Sequence, residues 1–245
     1  MNDPYIYEDV NVLKNTLDLK NQELLEEFEG AVVNLALLNL FEQGYAVKHT
    51  RDVFELHRTL FKDVYAWAGS QRTIDIEKQE MVLNGKSIRY ASHKTITASI
   101  DSLHRKYFHK RWREMDKPTL IENISRYIAL LWQIHPFREG NTRIIVTFLY
   151  FFLYNNKISM NIEHLGLHAK FFRNALVMAS IGEYSEYEPI ESILSDTIAV
   201  GSNKETNKDK SSLREKRKYD KINKMPINTY EYNYHHVVKQ DDDKQ

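Results

Sequence analysis

The run Ile144–Tyr154 is the most apolar stretch of the chain, and Arg143 and Asn155 bound it. It falls far short of the ~20 residues needed to cross a bilayer. Such a segment reads as a core helix, hydrophobic on every side, that other elements must surround. Turn-forming residues point the same way, because 245 residues include only eight glycines and five prolines. That is too few for the tight turns of a sandwich or barrel. We therefore expect an all-α bundle with one well-filled core.

Periodicity fills in the bundle. Leu24, Leu25, Phe28, Val32, Leu35, Leu38 and Phe41 recur at three- and four-residue spacing over 22–42, which predicts an amphipathic helix ended by Gly44. Thr50 is the expected N-cap of a second helix that turns Val53, Phe54, Leu56, Leu60 and Phe61 to the core. Helical patterns resume over about 93–113, 117–133, 141–154, 167–180 and 188–200. Between 72 and 91 they stop. There, in Val82-Leu83-Asn84-Gly85-Lys86-Ser87-Ile88, Asn-Gly separates two short apolar runs. Both turn positions favour φ > 0, so this predicts a β-hairpin. One hairpin is not stable alone and must pack on helices or await a partner strand. From Gly201 the composition turns to Ser, Asn, Lys, Asp and Glu. We expect one domain over 1–200 and a charged tail over 201–245, partly helical or disordered.

Several function classes drop out. Without cysteine there is no disulfide framework, thiolate metal site or cysteine nucleophile. The 34 basic residues balance 34 acidic ones, so no whole-molecule field recruits nucleic acid, and that partner is not expected. The lysines and arginines of 204–224 read as a solvated face. The polar start Met1–Tyr5 has no apolar signal segment. These features predict a soluble, cytoplasmic chain that engages no membrane.

Chemistry concentrates in His135-Pro136-Phe137-Arg138-Glu139-Gly140-Asn141-Thr142-Arg143. Pro136 disfavours helical geometry at His135, so one helix ends there and Gly140-Asn141-Thr142 opens the next. The opening turn offers unpaired N–H groups and a positive dipole end, a site for a phosphate chain. Arg143 can add a bidentate cationic contact. Glu139 stands where a metal bridging two phosphate oxygens would sit. His135 is a base able to take a proton near pH 7. The set fits phosphoryl or nucleotidyl transfer.

This segment resembles the signature loop of Fic domains, His-Pro-Phe-x-x-Gly-Asn-x-Arg in its fixed positions. Leu56-His57-Arg58, Leu60-Phe61, Asp63, Tyr65 and Trp67-Ala68-Gly69 with Arg72-Thr73 resemble the family's upstream core, and Asn11–Asn15 its N-terminal segment. The resemblance implies a protein adenylyltransferase with a Fic-like helical bundle and one small β-hairpin, the flap. His135 would deprotonate a Ser, Thr or Tyr hydroxyl of a target protein, which then attacks the α-phosphate of ATP. Glu139 would hold Mg²⁺, and Arg138, Gly140, Asn141, Thr142 and Arg143 would bind the phosphates. Val82, Leu83, Asn84, Gly85, Lys86, Ser87 and Ile88 would dock the target by strand addition.

Two positions depart from the family pattern. Thr142 stands where Gly is usual, and Val146 replaces a second Arg that contacts the γ-phosphate. That Arg also partners an inhibitory Glu in a Ser/Thr-x-x-x-Glu-Gly/Asn motif. No good copy of the motif is found, since Ser211–Glu215 has the spacing but is followed by Lys216. The resemblance then implies absent or altered autoinhibition, and a small separate antitoxin as a partner. Three alternatives stand beside this reading. One is a Doc-like phosphotransferase or a transferase using another nucleotide. A second is a metal-independent HEPN ribonuclease, on the spacing Arg51 to His57. The third is a helical binding module without catalysis.

Overall fold

The computed structural model describes residues 3–199, so the expected tail at 201–245 lies outside the described residues. At the centre stand α4 (Lys117–Ile134) and α5 (Asn141–Asn155). Residues Ile144, Ile145, Val146, Phe148, Leu149, Phe151, Phe152 and Leu153 of α5 are buried, as an all-round apolar helix requires. Fully enclosing each such side chain contributes about 1.5–3 kcal/mol. Tyr127 of α4 meets Phe148 and Phe152 edge-on at 6.0 and 5.5 Å, locking the pair together.

The other helices cover this pair. One side carries α2 (Asp52–Phe61) against α5, with α1 (Gln22–Gln43) outside it. On the other, α3 (Ile96–Leu103), α7 (Ala169–Met178) and α8 (Glu188–Thr197) pack on α4, and α6 (Ile162–Leu167) packs on α7 and α8. Asp116 caps α4 by accepting from the Thr119 N–H, and Pro118 takes a first-turn position whose N–H has no helical partner anyway.

Four expectations need correction. The sheet found among the described residues is not at 82–88 but pairs β1 (Ser159–Met160) with β2 (Ile198–Ala199), antiparallel. At the expected hairpin, Asn84 and Gly85 do take left-handed φ of 54° and 81°. They close a wider turn, though, in which Met81–Leu83 forms a 3₁₀ turn and Glu80 and Lys86 make the closing backbone bond at 3.1 Å. No ladder follows.

Second, Thr50 does not cap α2. Asp52 closes that end by accepting from the N–H groups of Lys48 and His49, while the Thr50 hydroxyl is bonded to Tyr127 Oη at 2.7 Å. Third, α1 buries Leu25, Val33 and Leu40 and leaves Leu24 and Leu35 exposed at 53% and 61%. Residues 31–41 are apolar nearly all round, so spacing alone could not choose the face. Fourth, the pattern over 93–113 is interrupted, since α3 ends at Leu103 and a π turn covers His104–Phe108. Gly44 caps α1 as expected, donating its N–H to Leu40 O.

Candidate active site

Helix α4 ends at Ile134, and His135 turns the chain with φ 50° and ψ 62°, the left-handed conformation. Pro136 removes the helical option. A non-glycine residue held there costs on the order of 1–3 kcal/mol unless the surroundings fix it. Arg72 does so from within. Its side chain is buried, and Nε donates to His135 O at 2.9 Å. Nη1 donates to Ile74 O at 2.6 Å and Nη2 to Ala91 O and Ile134 O. Its own N–H donates to Pro136 O at 2.8 Å.

The His135 ring is 2% exposed. Nδ1 lies 3.3 Å from Trp132 O, and Nε2 has no hydrogen-bond partner among the described residues. With the proton assigned to Nδ1, Nε2 keeps its lone pair. Burial, with Lys78 and Arg72 adding to it, holds the imidazole well below the usual histidine range. The group is a neutral base with one open nitrogen.

Around it the loop brings Glu139 and Arg143 together, and two residues the sequence reading passed over join them. Glu139 is 4% exposed, and its Oε1 accepts from the Gly140 N–H at 2.9 Å. Its Oε2 stands 3.7 Å from Lys78 Nζ, and Arg143 is 3.9 Å from Oε1. Arg143 also pairs with Glu29 of α1 at 2.5 Å and lies 4.8 Å over the Phe61 ring. Tyr65 donates its hydroxyl to Glu29.

Of these two, Glu29 left a signal in the sequence, and Lys78 is placed by the structure. Leu25-Glu-Glu-Phe-Glu29-Gly30 carries the Glu-Gly half of the inhibitory motif, with Leu25 in the Ser/Thr place. Burial alternates residue by residue over 73–80, so 74, 76, 78 and 80 share the inner face.

The remaining loop residues hold it in shape. Asn141 clips the loop, accepting from the Phe137 N–H at 3.0 Å and donating to Phe137 O at 2.8 Å. Thr142 Oγ1 accepts from Trp132 Nε1 at 3.0 Å. Arg138 is tied to Asp3 at 2.8 Å. Gly140 has φ 81°, and a Cβ there would stand 2.5 Å from the Phe61 ring, so packing as well as backbone angle requires glycine. Val146 lies buried in the core face of α5. Of the flap residues, Ile88 is buried and Leu83 partly so, Val82 is 37% exposed, and Lys86 and Ser87 are exposed.

His57 is fully buried. Nδ1 accepts from the Gly69 N–H at 2.9 Å, Nε2 is bonded to Glu139 O at 3.1 Å, and the ring stacks on Phe137 at 3.9 Å. Burial pushes it down to about 3. A ribonuclease would need this histidine at substrate, and here it pins the loop instead.

Among the described residues, no group of three or more His, Asp or Glu side chains could hold a metal ion. Glu139 can supply a carboxylate, which fits Mg²⁺ bound by one carboxylate together with substrate phosphates. Neither Lys78 nor Arg143 is far from that carboxylate, so the cation would enter a place two side-chain cations now serve. No helix of the described residues is long and apolar enough to cross a membrane.

Residues 48–153 match the family model of the Fic/DOC family. The chain is 31% identical over 150 residues to the protein adenylyltransferase VbhT of Bartonella schoenbuchensis, covering 61% of this chain and 30% of that protein. It is 25% identical to the probable protein adenylyltransferase Fic of Escherichia coli K12, covering 57% and 66%. With the probable protein adenylyltransferase y4lH of Sinorhizobium fredii it shares 28% identity over 74% of this chain and 90% of that one. The chain thus spans less than a third of the first relative and about two thirds of the second. The fold is that of the Bartonella effector BepC solved with bound AMPPNP, at TM-score 0.64 and 18% identity over 81% of this chain and 97% of that one. The N-terminal Fic domain of an effector from Bartonella sp. AR 15-3 gives 0.66 and 19%, over 79% and 90%.

Proposed function

Residues 48–153 match the Fic/DOC family model, and on that likeness we propose that the chain transfers AMP from ATP to a hydroxyl of a target protein. The observation that carries the reading is His135, a buried neutral imidazole with Nε2 unpaired, beside the opening turn of α5. Nε2 takes the proton of the target Ser, Thr or Tyr hydroxyl as its oxygen bonds to the α-phosphorus. The bond from that phosphorus to the bridging oxygen breaks, and pyrophosphate leaves. Glu139 would hold Mg²⁺, which when bound would supply positive charge against the negative charge building on the leaving group. The first-turn N–H groups of α5 and Arg143 receive the phosphate chain. Residues 82–88, with Asn84 and Gly85 in the turn, would dock the target by strand addition.

Glu29 acts against this. Its carboxylate holds Arg143 at 2.5 Å, so phosphates and Glu29 compete for one guanidinium. In this reading the brake lies within the chain and uses Arg143, where the family pattern would use the residue at Val146. Replacing Glu29 with Gly is expected to raise transfer by about tenfold or more, since a competing pair is worth a few kcal/mol. Unchanged transfer in Glu29→Gly would leave inhibition to a separate antitoxin, which co-purification from the host would reveal. The need for ATP places the reaction in cytoplasm, whether the producing cell's or a recipient's.

The test is incubation of the purified chain with labelled ATP, Mg²⁺ and host lysate. A protein band labelled from α-labelled ATP supports adenylyl transfer. Label from γ-labelled ATP alone makes the chain a phosphotransferase. No label from either, with no ATP binding by calorimetry, makes it a binding module.

A further inference from the structure

Glu80 and Met81 are neighbours at the root and tip of the flap turn. Glu80 is fully buried, while Met81 is 87% exposed. A carboxylate at that depth is costly unless other groups pair with it. Arg173 of α7 pairs with Oε2 at 2.7 Å, and the Tyr90 hydroxyl donates to Oε1 at 3.1 Å. The Tyr90 ring lies 4.3 Å from the His135 ring, tilted by 41°, and meets Trp132 edge-on at 6.1 Å. The segment carrying Tyr90 is fixed to the end of α4, where Ala91 N donates to Gln133 O at 3.4 Å and Gln133 Nε2 to Arg89 O at 3.2 Å. One side chain therefore touches the flap's buried acid with its hydroxyl and the base with its ring.

We propose that Tyr90 is a positioning residue that couples flap to base: its ring fixes the His135 imidazole, and its hydroxyl, through Glu80 and Arg173, sets the flap turn over it. A hydroxyl presented on the flap is aimed at Nε2 only as well as the flap is fixed relative to that ring. A misplacement of about 1 Å can cost roughly a hundredfold in rate. The backbone bonds of the turn run within 80–86, so they close it on itself, and the buried Glu80 is what ties it to α7 and to Tyr90.

This inference rests on the adenylyl-transfer reading for its kinetic arm alone. The first arm needs no activity. It follows amide exchange over 78–88 and the His135 ring resonance in the full chain. Tyr90→Phe keeps the ring and loses the hydroxyl, so the His135 resonance stays in place while exchange over 80–86 quickens by about tenfold. Arg173→Gln is expected to match it. Tyr90→Leu moves the His135 resonance as well.

In the kinetic arm, Tyr90→Phe and Arg173→Gln raise KM for the target by about fivefold or more with kcat within about twofold, and Tyr90→Leu lowers kcat about tenfold. Wild-type exchange and KM in Tyr90→Phe, or an unmoved His135 resonance in folded Tyr90→Leu, would overturn the proposal. A wild-type chain that transfers nothing defeats the function, and the exchange and resonance arms still decide this point. Should Tyr90→Leu fail to fold, Tyr90→Phe and Arg173→Gln decide it.

Discussion

The loop 135–143 and the flap 76–90 flank the same imidazole, and they are built in opposite ways. In the loop, Asn141 and Thr142 are committed to interior hydrogen bonds, Gly140 has no room for a side chain, and His57 of α2 holds the backbone at Glu139. In the flap, Lys78 and Glu80 turn inward, while Met81, Asn84, Lys86 and Ser87 face solvent and no ladder joins the arms. The loop is thus held in place by packing, and under the proposed function the flap is the edge left for another chain. A reacting group needs its place fixed before substrate arrives. A docking edge works because its backbone groups remain available.

The sharpest way to break this contrast is to loosen the loop from beneath. Arg72→Ala leaves carbonyls of residues 74, 91, 134 and 135 without their donor in a buried place. It should cost about 3–5 kcal/mol in urea unfolding. A loss near zero would mean that the loop holds itself.

Acid attacks the same side. Both His57 and His135 sit below the usual range in the folded chain, His57 at about 3. The unfolded chain takes up protons at its histidines near pH 6.5 that the folded chain refuses. Stability is therefore full above that value and falls as pH drops towards about 3, by about 1.4 kcal/mol per pH unit for His57 alone. Unfolding midpoints at several pH values would show the slope, and a flat profile would contradict the enclosure of these rings.

The flap should respond least. Met81→Ser, at an 87% exposed tip, should change stability by no more than about 0.5 kcal/mol. Under the proposed function it should still raise KM for the target. Equal KM would move target docking away from this turn.

What could be read beforehand follows the same division. The break between α4 and α5 was legible because Pro136 allows few backbone conformations and Gly140 allows the left-handed one that others avoid, and so was the burial of most of 144–153, which is almost wholly apolar. Asn84 and Gly85 announced left-handed residues correctly but not the size of the turn, which Glu80 decides through its burial against Arg173 and Tyr90. That choice depends on contacts far along the chain. Glu29 was hidden because Leu25 replaces the hydroxyl residue by which the motif is sought, and α1 shows its inner face only once α2 packs against it. Lys78 and Arg72 act through distances that no local spacing encodes.

The central claim is that the buried, unpaired Nε2 of His135 is the base. The most direct measurement is α-label transfer by His135→Ala beside the wild-type chain, with unfolding midpoints taken on both. The account predicts a loss of at least about a hundredfold in transfer, the usual weight of a general base, in a variant that remains folded. Transfer within a few-fold of wild type by folded His135→Ala would contradict it.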